Sequence, residues 1–126
     1  MWVAHRIFTD EIEMQSEDEW VRFEKDYTAY IMAFAKIAAD ENSAMYCIGT
    51  EMQLVVKNRD QLFLRLIKQV REIYNGKLTF AENWNCFENV KFWDWLDYFG
   101  IDAYFLNSKL GNSKKKILIG RKIFLF

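Results

Sequence analysis

The feature that most constrains this sequence is a repeated change of period. Segments with an apolar residue every three or four positions alternate with short, continuous apolar runs. Ser16-Glu17-Asp18-Glu19 opens the first helical segment as a capping box, with a hydroxyl for the first free amides and a Glu three residues on to reach back. Trp20, Phe23, Tyr27, Tyr30, Ile31, Phe34, Ile37 and Ala38 follow at helical spacing, which predicts a helix over residues 17–40. Ala44 to Gly49 reads as a buried strand. A second helix is predicted over 59–74, with Leu62, Leu66, Ile67, Val70, Ile73 and Tyr74 on one side. Asn75-Gly76 is its stop, as residues that accept the left-handed conformation. Lys77 to Glu82 is a second strand, Phe92 to Leu96 a short helical turn, and Tyr98 to Phe105 a third strand. The opening residues 1–15 are irregular, with Trp2-Val3-Ala4 as a candidate strand end.

Strands separated by helical segments pair in parallel through crossovers, so the fold class is α/β. A chain of 126 residues with 52% apolar content holds one domain with a real core. A doubly wound nucleotide fold would carry a glycine-rich loop after its first strand. No such loop occurs, and nucleotide binding is disfavoured. A partial (β/α)8 TIM barrel accounts better for the pattern. Residues 1–106 are assigned to it. Residues 107–126 form a divergent tail with Lys114-Lys115-Lys116, an apolar end and no acidic residue. Incomplete parallel sheets expose strand edges, so self-association through those edges is an expectation.

In a parallel α/β fold, function gathers where strands end. Three ends are legible. The first is Gly49-Thr50-Glu51. Alternation puts Cys47, Gly49 and Glu51 on one face, with small residues leaving space below Glu51. A partly buried carboxyl there has a raised pKa and donates a proton, against the plainer reading of a solvated loop Glu. The second is Glu82-Asn83-Trp84-Asn85, where amides flank an indole as on a sugar-binding surface, or as in an ordinary turn. The third is Asp102-Ala103-Tyr104. Asp102 and Tyr104 share one face of the strand, opposite Ile101, Ala103 and Phe105. An inward Asp in an apolar strand needs partners, either a structural network or a substrate.

Other chemistries find less support. A net charge of −1 gives no electrostatic case for nucleic acid. His5 is the one histidine, so neither a His-based triad nor a multi-His metal site can be built, and no cofactor or metal is expected. Cys47 and Cys86 read as buried free thiols. No apolar run nears the ~20 residues that span a bilayer, so no membrane partner is expected. No charged start precedes an apolar signal core.

Several segments in order together resemble glycoside hydrolase family 113, the endo-β-mannanase type of (β/α)8 barrel. They are Trp20 with Tyr27-Thr28-Ala29-Tyr30-Ile31, then Tyr46-Cys47-Ile48-Gly49-Thr50-Glu51, and Val70-Arg71-Glu72-Ile73-Tyr74-Asn75-Gly76. Leu78-Thr79-Phe80-Ala81-Glu82-Asn83-Trp84, Phe92-Trp93-Asp94 and the run from Leu96 to Phe105 complete the set. The resemblance implies a piece running from the end of the family's third strand through its sixth. It implies Glu51 as the acid/base of a retaining hydrolase, with Asn83, Trp84, Asp102 and Tyr104 lining a cleft for a β-mannan-like oligosaccharide or polysaccharide. It also implies a nucleophile carboxylate from the seventh strand, and no acidic residue follows Asp102. Glu82 stands where a small residue is expected, as a spare cleft carboxylate without the nucleophile's role. The expectation is a hydrolase fragment without turnover of its own; a truncated gene or a frameshift would produce such a tail. The rivals are a non-catalytic α/β carbohydrate-binding module and a protein-interaction module built on residues 17–40.

Overall fold

The computed structural model describes residues 8–102 and the backbone of residues 123–125. Helix α1 spans Glu17–Asp40. The Ser16 hydroxyl accepts the Glu19 N–H at 3.3 Å, and the Glu19 carboxylate reaches back to the Gln15 N–H at 2.8 Å, one residue further than in the usual box. At the other end Asn42 adopts φ 52°, the Ser43 N–H reaches the Ala38 carbonyl and the Asn42 N–H reaches that of Ala39. That is a Schellman close, with Asn in the place often taken by Gly.

Strand β1 (Met45–Thr50) follows. A short helix α2 (Gln53–Asn58), which the apolar periodicity does not reveal, leads directly into α3 (Asp60–Ile73). Helix α3 stops because Tyr74 turns extended (φ −128°) and buries its ring, its hydroxyl donating to the Ser43 carbonyl at 2.8 Å. The expected left-handed stop at Asn75-Gly76 is absent, since no described glycine has positive φ. Gly76 is needed for room: a Cβ there would lie 2.1 Å from the Tyr74 hydroxyl. Strand β2 is Lys77–Asn83, β3 is Tyr98–Asp102, and a 3-10 turn at Trp93–Trp95 stands between them. Residues Ile123–Leu125, far into the segment read as a tail, form β4. The sheet is wholly parallel in the order β1-β2-β3-β4.

The core lies between the helices and one face of this sheet. Phe80 of β2 meets Phe63 of α3 edge-on at 5.1 Å between ring centroids; Phe63 stacks on Phe92 at 4.7 Å, and Trp93 tilts against Phe99 at 4.8 Å. Aromatic contacts of this kind add to the area they bury. Helix α3 buries Leu62, Phe63, Leu66, Ile67 and Val70, while Ile73, expected on the same side, is exposed. Helix α1 buries a narrower stripe than its sequence suggests. Trp20, Phe23, Ile31, Ala35 and Ala38 are inside, whereas Tyr30, Phe34 and Ile37 are about half exposed (53%, 47% and 54%). Among the described residues no helix is long and apolar enough to cross a membrane.

Candidate functional site

The site grows from an irregularity in β1. Cys47 pairs with Thr79, but Thr50 pairs with Ala81, so three steps along β1 match two along β2. This is a bulge, and it turns the strand over. Thr50 inherits the face of Ala81, and Gly49 is turned toward the helices. A Cβ on Gly49 would lie 2.6 Å from Phe80 Cε2 and 2.9 Å from the Tyr27 hydroxyl. That hydroxyl donates to the Ile48 carbonyl at 2.7 Å, securing the bulge from α1. Two expectations are thereby corrected. Cys47, Gly49 and Glu51 do not share a face by simple alternation, and the smallness of Gly49 makes room for Phe80 and Tyr27 rather than for Glu51.

Glu51 still reaches the strand ends, by another route. It has φ 47°, in the left-handed region that a residue with a Cβ occupies at a cost, and its N–H donates to the Ala81 carbonyl at 2.8 Å. The turn brings its carboxyl into hydrogen-bond contact with that of Asp102. Asp102 pairs in register with Asn83, so those two side chains leave the sheet on the same face, opposite Phe80, Phe99 and Ile101. Trp84 follows with an exposed indole, and its N–H donates to the Asp102 carbonyl at 3.2 Å. The structure thus brings Glu51, Asn83, Trp84 and Asp102 to one end of the sheet. Tyr104 lies outside the described residues.

Burial raises the Glu51 pKa first, the charges of Asp102 and Asp10 raise it further, and the hydrogen bond to Asp102 adds to them. Asp102 is also raised by burial, but the same bond pulls it down. The same bond therefore favours the proton on Glu51 over Asp102. Glu51 Oε1 is buried with no hydrogen-bond partner, a state that native structures keep only for a reason. A carboxyl whose pKa is raised by burial and by a second carboxyl is suited to giving a proton away.

Glu82 differs from expectation. It is 2% exposed and pairs with Ile101, so alternation sets it on the face away from Asn83 and Asp102. It is not a spare cleft carboxylate. Its Oε1 accepts the Asn83 N–H at 2.9 Å and the Cys86 thiol at 3.4 Å. Cys86 is buried as expected, while Cys47 is exposed; both are free. Sequence reasoning missed Asp10, Tyr27 and Cys86 as neighbours of the site. Only Cys86 left a trace, by its place in the loop after β2. Among the described residues no group of three or more His, Cys, Asp or Glu could hold a metal ion. A groove of about 590 Å³ runs between α1 and β1, lined by Tyr30, Phe34, Tyr46 and Thr50, and Glu51 does not line it.

A model of Glycoside Hydrolase Family 113 matches residues 1–122. The chain belongs to that family. The family-113 β-mannanase AaManA from Alicyclobacillus acidocaldarius, solved in complex with ManMIm, is similar at 26% identity with a TM-score of 0.73, over 78% of this chain and 33% of its own. A family-113 β-1,4-mannanase structure is similar at 32% identity and a TM-score of 0.63, over 75% of this chain and 30% of its own. A complex of a family-113 β-1,4-mannanase gives 31% identity and a TM-score of 0.63, over 79% and 31%. The chain therefore spans about a third of the length of these proteins (33%, 30% and 31%). Among curated proteins nothing matches it. As a family-113 chain of this extent, its parallel sheet and flanking helices are part of a TIM barrel, and the carboxyl-terminal strand ends where Glu51 and Asp102 meet are the side on which such barrels build their sites.

Proposed function

We propose that this chain carries the acid/base half of a retaining, endo-1,4-β-mannanase-like active site, with Glu51 as the residue that protonates the glycosidic oxygen. The observation that carries this reading is the Glu51 carboxyl, one oxygen buried and its pKa raised by burial and by Asp102, at the carboxyl-terminal end of a parallel sheet. Family membership and the similar β-1,4-mannanase structure support a β-1,4-mannan as the substrate class. Asn83 and Asp102 offer hydrogen bonds to sugar hydroxyls, and the exposed Trp84 indole offers a flat apolar face for a pyranose. Tyr104, two residues beyond Asp102, completes the proposed cleft.

Asp102 is not the nucleophile in this reading. A retaining pair stands about 5–5.5 Å apart with the anomeric carbon between. Two carboxyls that share a hydrogen bond leave no room for it. Asp102 instead raises the Glu51 pKa. No acidic residue follows Asp102, so β3 is the last strand of this chain to supply a carboxylate. Without a nucleophile the covalent step is lost, and the chain alone turns over no substrate. Among the described residues β1 lies at the edge of the sheet, and with the exposed Tyr30, Phe34 and Ile37 of α1 it favours self-association.

The test is an assay of the purified chain on β-mannan and on an aryl β-mannoside, joined to a carbon-13 titration of Glu51. No turnover, with Glu51 titrating above the ordinary glutamate range, is the expected result. Robust turnover abolished by Glu51→Gln would remove the inactivity and keep the site. An ordinary Glu51 titration would remove the site.

A further inference from the structure

Glu82 is buried, sits on the wrong face of β2 to meet a sugar, and has no part in the proposed proton transfer. A carboxyl so deeply buried is costly, and its partners show where its hydrogen bonds go. One oxygen, Oε1, gathers both ends of the turn that follows β2: the Asn83 N–H at 2.9 Å and the Cys86 thiol at 3.4 Å. The turn is closed from inside by the Cys86 N–H on the Asn83 carbonyl at 3.0 Å and the Asn85 N–H on Asn83 Oδ1 at 3.4 Å. It is tied to β3 by the Trp84 N–H on the Asp102 carbonyl at 3.2 Å. Burial, and then Glu82 itself, push the Cys86 thiol up to about 12, so it stays a donor.

From this geometry we infer that Glu82 is a positioning residue of the site: its buried oxygen pins the Asn83–Cys86 turn against the end of β3, so that Asn83 and the Trp84 indole are held as one sugar-facing surface beside Glu51. The inference rests on the mannanase reading for its ligand, not for its mechanics.

The test uses the full nitrogen-15-labelled chain and a β-1,4-linked manno-oligosaccharide. In Glu82→Ala the Asn83 amide exchanges with solvent about tenfold faster or more, as loss of a bond to a carboxyl predicts, while Leu78 and Phe80 in the same strand exchange as before. The oligosaccharide then moves the Asn83 side-chain and Trp84 indole signals less than in the unaltered chain. Glu82→Gln, which keeps an acceptor oxygen, restores both. Cys86→Ala removes only the far anchor and speeds Asn83 exchange about two- to threefold. Unchanged Asn83 exchange in Glu82→Ala, or failure of Glu82→Gln to rescue, overturns the proposal. Should Glu82→Ala not fold, unchanged exchange in Cys86→Ala overturns it. If the oligosaccharide moves no signal even in the unaltered chain, the mannanase reading falls, while the exchange rates still decide what Glu82 holds.

Discussion

The two ends of the sheet treat their carboxylates in opposite ways. At the amino-terminal end Asp97 is bonded to the Arg71 guanidinium, to Lys77 Nζ at 3.2 Å and to the Leu78 N–H at 2.9 Å. Burial alone would raise its pKa, but the Leu78 N–H, Arg71 and Lys77 together outweigh burial and lower it. At the carboxyl-terminal end the side-chain charges acting on Glu51 and Glu82 are all other carboxylates, and Glu51, Glu82 and Asp102 are all raised, burial first. One end satisfies its charge and gains stability. The other crowds like charges, and its carboxyl pKa values rise. The contrast parallels the general division of TIM barrels, in which sites are built at the carboxyl-terminal face and the amino-terminal face serves stability.

Four measurements break or sharpen that contrast. The largest effect is expected from Asp97→Ala, which strips the Leu78 N–H and Arg71 of a charged partner. Urea unfolding should show a loss of about 2–3 kcal/mol at neutral pH, with the Glu51 titration unmoved. A shift of Glu51 would mean that the two ends are not independent. Gly49→Ala comes next. Its Cβ would press on the Phe80 ring and the Tyr27 hydroxyl, an overpacking cost of about 1–3 kcal/mol. Relief of that clash by moving β1 should also shift the Glu51 titration, so both readouts change together. Tyr27→Phe keeps the ring stacked on Phe23 and removes only the bond to the Ile48 carbonyl, costing about 1 kcal/mol. Unaltered stability in that variant would show that the bulge holds without α1.

The smallest effect concerns the sign of the pH dependence. Asp97 has a depressed pKa in the folded chain, so its contribution is present above the unfolded aspartate value, ~3.9, and is lost as pH falls through the folded value. Glu51 has a raised pKa, so the folded state binds its proton more tightly than the unfolded state does. Its contribution is present below the unfolded glutamate value, ~4.3, and is lost as pH rises through the folded value. Melting temperature against pH should therefore lose part of its acid limb in Asp97→Asn and part of its fall above pH ~4.3 in Glu51→Gln. The same change in both variants would erase the distinction between the two ends.

The sequence by itself determined the elements and their order. The capping box at Ser16, the apolar periods of α1 and α3 and the continuous runs of β1 to β3 are local signals, written in spacing and turn chemistry. They carried the α/β class and put Glu51, Asn83 and Asp102 at strand ends. What only the tertiary structure decided was which way each side chain faces there. The bulge after Cys47 depends on the Tyr27 hydroxyl from α1 and on the Phe80 ring from β2, neither of them near Glu51 in sequence. The outward turn of Glu82, the exposure of Cys47 and the half-exposed stripe of Tyr30, Phe34 and Ile37 likewise follow from neighbours brought in by the fold. Periodicity records what a residue is beside along the chain. Burial, register and a raised pKa depend on what other segments bring across the space between them.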